Sequence, residues 1–318
     1  MSACSLLSTP RMRSLTLFLL LCPLCTLPAR ADQRVVGGSE VPRGRWLDVV
    51  AVKMRDGVCT GTLIAPDVVL TAGHCIGGGP YEVIVDTIDY ARPGGERIRV
   101  AWARAYPNWE QRYDVGVLVL DQPATLAKPR VVTSACTARA LLAPQTPVEI
   151  VGFGLATAEA LDSNTRLHQA TVPVIDPTCS LDPACNPAVA PHGEFMAGGH
   201  GADSCFGDSG GPVYIDTRDG HGHALVGIVS RGLALPAAPC GNGGVYVRVD
   251  KVISWIQSVT NRTLAKTQCR AVNTDEADHA DDEPGGCSTG SALGIAAALA
   301  LLICAWLLAR HDRRIRER

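Results

Sequence analysis

The chain contains a short run, Asp203 to Pro212 (DSCFGDSGGP), in which one serine is surrounded by glycines. Ser209 lies two residues after Gly207 and is followed directly by Gly210 and Gly211. Glycine permits the tight turn that aims the amides of Gly207 and Ser209 at one point. Two convergent amides stabilise the negative oxygen that forms when a nucleophile attacks a carbonyl. The run is therefore typical of a nucleophilic serine beside its own oxyanion hole.

A serine hydroxyl is a weak nucleophile unless a base takes its proton and a third group orients that base. The motif TAGHC supplies a base in His74, and YDVGVLVL supplies a carboxylate in Asp114. Taken singly, these residues read as a turn serine, a core histidine and a strand-edge aspartate. The order His, Asp, Ser is one of three unrelated orders in which this triad occurs. We therefore expect the three residues to form one catalytic site.

These motifs, with SRG and GVYVRV further along, resemble the trypsin-like branch of the chymotrypsin family over about residues 35–260. The resemblance implies a serine endopeptidase built from two six-stranded antiparallel barrels, with the active site in the crevice between them. It also implies a helix at the end of the domain, for which residues 251–260 are suitable.

The resemblance assigns further residues to the site. Ser230 matches the serine that supports the triad aspartate, and Asp203 matches the base of the primary specificity pocket. Gly232 and Gly244 match the small residues in the pocket walls. Because a buried carboxylate requires a cationic partner, the resemblance implies substrates with arginine or lysine on the acyl side of the cut bond. The alternative for Asp203 is a solvated loop aspartate.

Arg231 departs from the family pattern, in which a tryptophan forms the wall beside the nucleophile. We expect this change to alter the extended subsites and to favour acidic substrate residues two to four positions before the cut. The segment Leu233 to Pro239 is longer than in trypsin, and Gly241 to Gly243 is shorter, so the rim of the pocket is expected to differ as well.

Asp32-Gln33-Arg34 directly precedes VVGG and resembles a very short activation peptide. Cleavage after Arg34 would free the amine of Val35. In the family that ammonium pairs with the carboxylate just before the nucleophile, here Asp208, and this pairing orders the oxyanion loop. The alternative is that Arg34 is an incidental linker residue.

Short β-branched runs separated by glycine, proline and aspartate extend from about residue 48 to 249. They predict an all-β fold with regular turns. The clearest runs are Asp48 to Val52, Val68 to Thr71, Tyr81 to Val85, Val115 to Leu120, Val148 to Val151 and Leu225 to Val229. With the terminal helix, the predicted catalytic domain covers residues 35–262.

The two ends of the chain have the composition of sorting segments. Two arginines, an apolar stretch at 15–24 and Ala-Arg-Ala at 29–31 indicate a signal peptide over residues 1–31, which leaves 32–34 as the activation peptide. Residues 263–286 are expected to form an acidic linker. The uncharged stretch 291–309 is long enough to span a bilayer, and the arginines after it indicate a cytoplasmic end.

Residues 287–318 also resemble the bacterial MYXO-CTERM type of sorting signal, in which a Gly-Cys motif, an apolar helix and a basic end occur together. This resemblance implies processing near Cys287. A permanent transmembrane anchor is the competing interpretation, and a glycolipid-anchor signal is third because of the terminal arginines. We expect an exported protein held at the cell envelope or surface, with release after processing left open.

Thirteen cysteines in an exported chain favour disulfides, and no Cys/His cluster has metal-ligand spacing. The family resemblance implies the bridges Cys59–Cys75 and Cys205–Cys240. Cys179 matches one end of a family bridge whose other end is Met196 here, so we predict a local Cys179–Cys185 pair. Cys136 and Cys269 remain as a candidate pair. No metal, calcium site or cofactor is predicted.

The sequence thus predicts a membrane-tethered serine endopeptidase that is made as a zymogen. Its expected partners are protein or peptide substrates with arginine or lysine at the cut site, an activating protease and the membrane. A net charge of -2 provides no basic footprint for nucleic acid. The alternatives are a non-catalytic binding protein on the same fold, or an esterase with little peptidase activity. A complete triad with Gly207 and Asp203 intact argues against the first.

Overall fold

A computed structural model describes residues 36–155, 164–180, 182–233 and 239–269 of the chain. These ranges cover most of the predicted catalytic domain and the first residues after it. The predicted signal peptide, the activation peptide with Arg34, the new amino terminus Val35, and the tail 287–318 lie outside the described residues, as does the linker from residue 270 onward.

The first half of the domain forms a closed antiparallel barrel of six strands in the order β2-β3-β4-β7-β6-β5. The strands are rich in valine, isoleucine and threonine, whose branched side chains suit a pleated surface. Their bounds are Val49–Met54 (β2), Gly57–Ala65 (β3), Val68–Thr71 (β4), Glu82–Val85 (β5), Glu96–Ala105 (β6) and Gly116–Leu120 (β7).

The second half forms another antiparallel ring of six strands, in the order β8-β9-β10-β13-β12-β11, with β11 pairing back to β8. The two-residue strand β1, Ser39–Glu40, is added to the edge of β9. The bounds are Pro147–Gly152 (β8), His168–Asp176 (β9), Glu194–Ala197 (β10), Pro212–Asp216 (β11), His223–Gly232 (β12) and Gly244–Arg248 (β13).

Successive side chains of β2 point to opposite faces of the strand and pack into two different hydrophobic clusters. Val50 and Val52 pack in a cluster that belongs to the first barrel. Val49 and Ala51, which point to the opposite face of β2, pack in a larger cluster that also includes Tyr214 of the second barrel. One face of the first barrel wall therefore lines its own interior and the other face is buried against the second barrel.

Within the ranges that the structure describes, three short α-helices accompany the strands: Gly73–Gly77 (α1), Ala135–Leu141 (α2) and Ile253–Thr260 (α3). Helix α2 begins after Ser134, whose hydroxyl accepts from the Thr137 amide. Helix α3 ends at Asn261, which takes a left-handed conformation with φ of 52°, as is common for asparagine at a helix end.

The predicted all-β fold of two six-stranded antiparallel barrels with a terminal helix is confirmed. Within the described part of the chain, no helix is both long and apolar enough to cross a membrane. The predicted spanning segment 291–309 lies outside that part.

The structure contains four disulfide bridges among the described residues. They include the two that the family resemblance implied, the local pair predicted for the Cys179 loop, and the candidate pair that involves the last cysteine before residue 270. The bridges are Cys59–Cys75, Cys136–Cys269, Cys179–Cys185 and Cys205–Cys240.

Candidate active site

Strand pairing brings His74 and Asp114 together, although they are 40 residues apart in sequence. Strand β4 pairs with β7 so that Thr71 lies opposite Gly116. His74 follows Thr71 by three residues and Asp114 precedes Gly116 by two, so both residues lie just beyond the same end of this ladder. The Asp114 carboxylate accepts from His74 Nδ1 at 2.8 Å and from the His74 amide at 2.9 Å.

The Asp114 carboxylate is buried and receives a third hydrogen bond, from Ser230 Oγ at 2.8 Å. Burial by itself raises the pKa of Asp114, but the hydrogen bonds and charge of His74, with the Ser230 hydroxyl, outweigh it and hold the pKa below its ordinary value. The carboxylate is therefore ionised at neutral pH, and it fixes the orientation of the imidazole ring that it contacts.

The loop that carries Ser209 is bound to the strands leading to His74. The Thr60 amide on β3 donates to the Ser209 carbonyl at 2.9 Å. Gly210, with φ of 77°, packs so closely against the end of β4 that an added Cβ would collide with Thr71 Oγ1 and lie 2.5 Å from the Ala72 amide nitrogen. Only glycine permits this approach, which brings Ser209 next to the turn that precedes His74.

Asp208, directly before Ser209, points its side chain into the protein and is fully buried. Its two carboxylate oxygens accept from the amides of Gly154 and Cys205, each at 2.8 Å. A Cβ at Gly152 or Gly154 would collide with this carboxylate. Burial raises the pKa of Asp208 to about 7, against the opposing effect of the two amides. The oxyanion loop is thus built over a carboxyl group that has no cationic partner among the described residues.

The first described residue is attached to the same loop region. The Asp203 amide donates to the Val36 carbonyl at 3.0 Å, and the Val36 side chain is buried with Cys205 and Cys240. An added Cβ at Gly37 would lie 2.5 Å from the Gly201 carbonyl oxygen. The chain at residues 36–37 is therefore packed against the segment that leads to Asp208.

Asp203 is fully buried, which raises its pKa to about 6. Its Oδ1 accepts from the Ser204 amide at 2.7 Å and from the Tyr246 hydroxyl at 3.1 Å, and its Oδ2 accepts from the Gly243 amide at 3.1 Å. This carboxylate is not the solvated loop aspartate that the sequence left as the alternative. Gly244 borders it, because an added Cβ there would lie 3.1 Å from Asp203 Oδ1.

The partners of Asp203 were not predicted individually. Tyr246 lies within the apolar run GVYVRV. A tyrosine in a buried strand needs a partner for its hydroxyl, so the sequence indicates that Tyr246 has a polar neighbour but not which one. Ser204 directly follows the aspartate and donates through its hydroxyl as well, at 3.3 Å. At Gly232 an added Cβ would meet only the Pro239 carbonyl, at 3.8 Å, among the described residues. This position therefore leaves space beside the main chain.

Arg231 has a partner within its own chain. Its Nη1 and Nη2 donate to the two oxygens of Glu194, each at 2.8 Å, and Nε and Nη2 also donate to the Ala184 carbonyl. The Glu194 side chain is 1% exposed and that of Arg231 is 35% exposed. The expected preference for acidic substrate residues loses its basis, because the cation is already neutralised by a buried carboxylate.

A metal site is not supported at the histidine. Cys59, His74 and Cys75 bring three potential ligand atoms within 4.8 Å of one another. Both sulfur atoms are joined in one disulfide, and a metal requires the thiolate form of cysteine.

The predicted site residues lie away from a large cavity in the described part of the chain. A cavity of about 970 Å³ is lined mainly by residues 125–131, 217–224 and 266–269. None of the predicted site residues borders it. The assignment of the site therefore depends on the hydrogen-bonded side chains and not on cavity size.

The sequence is similar to that of known proteins. The family model described as Trypsin matches residues 35–256. Serine protease 56 of Mus musculus is 30% identical over 280 residues, which cover 81% of this chain and 45% of that protein. The chain thus spans less than half the length of this relative.

Proposed function

Because the chain belongs to the trypsin family of serine proteases, we propose that it is an endopeptidase that hydrolyses peptide bonds after arginine or lysine. The observation that carries the proposal is the hydrogen-bonded chain Ser230–Asp114–His74, with the Ser209 loop bound to the same strands. A binding protein on this fold would have no need for that arrangement.

In the proposed mechanism, Ser209 Oγ attacks the carbonyl carbon of the scissile bond while His74 Nε2 takes the hydroxyl proton. The carbonyl oxygen becomes an oxyanion that accepts from the amides of Gly207 and Ser209. His74 then gives its proton to the leaving amine, and the C–N bond breaks to leave an acyl-enzyme. Water attacks that ester by the same route, with His74 as base, and restores Ser209.

Asp114 acts through His74 in this scheme. It keeps the Nδ1 proton in place, so that Nε2 is free to act as the base, and it stabilises the imidazolium that forms. The low pKa of Asp114 is consistent with this role, because the carboxylate remains charged while the imidazole gains and loses its proton.

Specificity for basic residues is proposed from Asp203. A carboxylate that is buried beside Gly244 would pair with a guanidinium or ammonium that enters from the cleft, whereas an apolar side chain would leave it unpaired. Its present hydrogen bonds are to neutral donors, Ser204, Tyr246 and the Gly243 amide. Since none of these donors carries a full charge, a cationic substrate group would supply a counter-charge that the described residues do not.

Zymogen activation is proposed from Asp208 and the position of Val36. Cleavage after Arg34 would create an ammonium at Val35, one residue before a segment that already packs beside Asp203. The buried Asp208 carboxyl would then gain a cationic partner. Export through the signal 1–31 and tethering through the tail 287–318, retained or processed, complete the proposal.

The test is active-site labelling with a fluorophosphonate, followed by digestion of a basic peptide library. We expect the chain cleaved after Arg34 to be labelled and to cut after arginine or lysine, and Ser209→Ala to do neither. Labelling without peptide cleavage would indicate the esterase, and absence of both would indicate the binding protein. The intact mass of the exported protein shows whether its terminal segments have been removed. Retention of Arg318 would contradict processing near Cys287.

A further inference from the structure

Thr60 is the residue of the first barrel that makes the most direct contact with the predicted oxyanion loop. It lies in the middle of β3 and is fully buried. Its amide donates to the Ser209 carbonyl at 2.9 Å, and its Oγ1 contacts the Gly207 carbonyl at 2.8 Å. One side chain and its own backbone thus bind the carbonyl groups of both residues whose amides form the oxyanion hole.

The direction of the Thr60 hydroxyl proton follows from its second partner. The Phe153 amide also contacts Oγ1, at 3.1 Å. An amide only donates, so Oγ1 accepts this bond and has its single proton left for the Gly207 carbonyl. The Thr60 carbonyl accepts in turn from Thr71 Oγ1 at 2.8 Å. The hydroxyl is therefore held in one orientation between two backbone groups of the second barrel.

Gly207 has a backbone conformation that glycine adopts readily and other residues rarely do. Its φ is 99°, a conformation in which glycine has no steric barrier to neighbouring states. Rotation about this residue would turn its amide away from the point shared with the Ser209 amide. The Gly207 amide lies in the peptide group before this rotation, and the Phe206 carbonyl of that group accepts from the Leu155 amide at 2.8 Å. The Gly207 carbonyl lies in the peptide group after it, which the Thr60 hydroxyl holds. Together the two bonds fix the φ rotation of Gly207, and loss of the Thr60 bond would release one side of it.

We propose that Thr60 is a positioning residue for the oxyanion hole: its hydroxyl holds the Gly207 carbonyl, and with it the peptide group that leads to Ser209, so that the Gly207 and Ser209 amides converge. The inference rests on the proposed proteolytic function for its kinetic consequences. Its structural consequence, a restrained loop, does not depend on turnover.

Thr62 provides a matched control on the same strand. It is two residues further along β3, on the same face, and equally buried. Its Oγ1 makes no hydrogen bond within the described part of the chain. Replacing either threonine with valine removes one hydroxyl and keeps the shape, so the two variants differ in the hydrogen bonds that are lost.

The kinetic experiment uses the full chain cleaved after Arg34 and an arginyl peptide substrate. Loss of one oxyanion donor typically lowers kcat about 10²- to 10³-fold, so we expect Thr60→Val to lower kcat at least ~10-fold with KM little changed. A peptidyl trifluoromethyl ketone, whose tetrahedral adduct places an oxygen in the hole, should bind more weakly by a similar factor. Benzamidine, which fills only the pocket above Asp203, should bind as in the wild type.

Thr60→Ser should recover most of the kcat, and Thr62→Val should behave as the wild type. Equal kcat in Thr60→Val and Thr62→Val, or an equal loss of affinity for benzamidine and the ketone, would overturn the proposal. If Thr60→Val does not fold, Thr60→Ala removes the hydroxyl without adding a methyl group beside the loop, and the same outcomes apply.

Amide hydrogen exchange separates this inference from the proposed function. We expect the peptide containing residues 205–210 to exchange faster in Thr60→Val than in Thr62→Val, whether or not the protein turns over substrate. Failure of the proposed function would appear as an inactive, unlabelled wild type. Failure of the Thr60 inference would appear as identical exchange in the two variants.

Discussion

The buried carboxyl of Asp208 should make the stability of the uncleaved chain fall as the pH rises. Burial raises its pKa from an ordinary 3.8 to about 7. Between these values the folded protein holds a proton that the unfolded chain has released. Stability decreases with pH wherever the native state binds more protons, so this contribution is intact below pH 4 and is lost as the pH approaches and passes 7.

The size of the loss follows from the same two values. The interval from 3.8 to about 7 corresponds to about 4 kcal/mol, at roughly 1.4 kcal/mol for each pH unit. In the cleaved chain, the ammonium of Val35 would act as the counter-charge of Asp208 and recover much of this free energy. Asp203, whose pKa is about 6, should also lower the unfolding free energy as the pH rises. Its effect should be similar in the cleaved and uncleaved chains, so it largely cancels when their unfolding free energies are subtracted.

The assay is urea unfolding with intact disulfides, followed by tryptophan fluorescence between pH 4 and 7.5. It compares the uncleavable variant Arg34→Gln with the chain cleaved after Arg34. We expect the difference in unfolding free energy to be smallest at pH 4 and to grow by a few kcal/mol towards neutral pH. Asp208→Asn in the uncleavable chain should flatten its curve. Parallel curves for the cleaved and uncleaved chains would refute the reasoning, and so would an unchanged slope in Asp208→Asn.

Three further predictions concern the pocket, the cleft wall and the disulfides. Asp203→Asn should lower kcat/KM for arginyl peptides about 10²- to 10³-fold, the cost of removing one partner of a buried charge pair, while fluorophosphonate labelling stays near the wild-type rate. Arg231→Met should lower the unfolding free energy by about 3 kcal/mol in urea, since it leaves Glu194 buried without its cation, and adding Glu194→Gln should recover part of the loss. Replacing the Cys136–Cys269 bridge with serines should lower the unfolding free energy by about 5 kcal/mol, and replacing Cys179–Cys185 should lower it by about 2 kcal/mol. The difference arises because the bridges span 133 and 6 residues. Equal losses would contradict this chain-entropy estimate.

The candidate catalytic side chains could be named from the sequence because each lies in a short motif. His74, Asp114 and Ser209 are marked by their immediate neighbours, and Gly210 shows why those neighbours cannot vary freely. The two-barrel fold was accessible through family resemblance, and the β-branched runs indicated several of its strands. Strand β10, with the sequence EFMA, has no β-branched residue, so its membership in the sheet depends on its partners and not on local propensity.

The contacts that support the candidate site could not be predicted from short motifs. Glu194 is 37 residues from Arg231, and Thr60 is 147 residues from Gly207. Nothing local to either partner indicates the other, because the contact is created by strand register and by packing of the two barrels. The acidic preference predicted for Arg231 could not take this contact into account, since the sequence shows a cation and not the carboxylate that the fold places against it.

The Cys136–Cys269 bridge determines how the domain would bear mechanical load. Residues 265–267 pair with Val132 and Ser134 through a few hydrogen bonds, and the bridge joins this short pairing covalently to α2 two residues later. Tension entering the domain from residue 270 would reach the disulfide before the hydrogen bonds or the terminal helix. With the bridge reduced, the same pull would peel the segment away one hydrogen bond at a time, so a reducing environment would turn a firm attachment into a weak one.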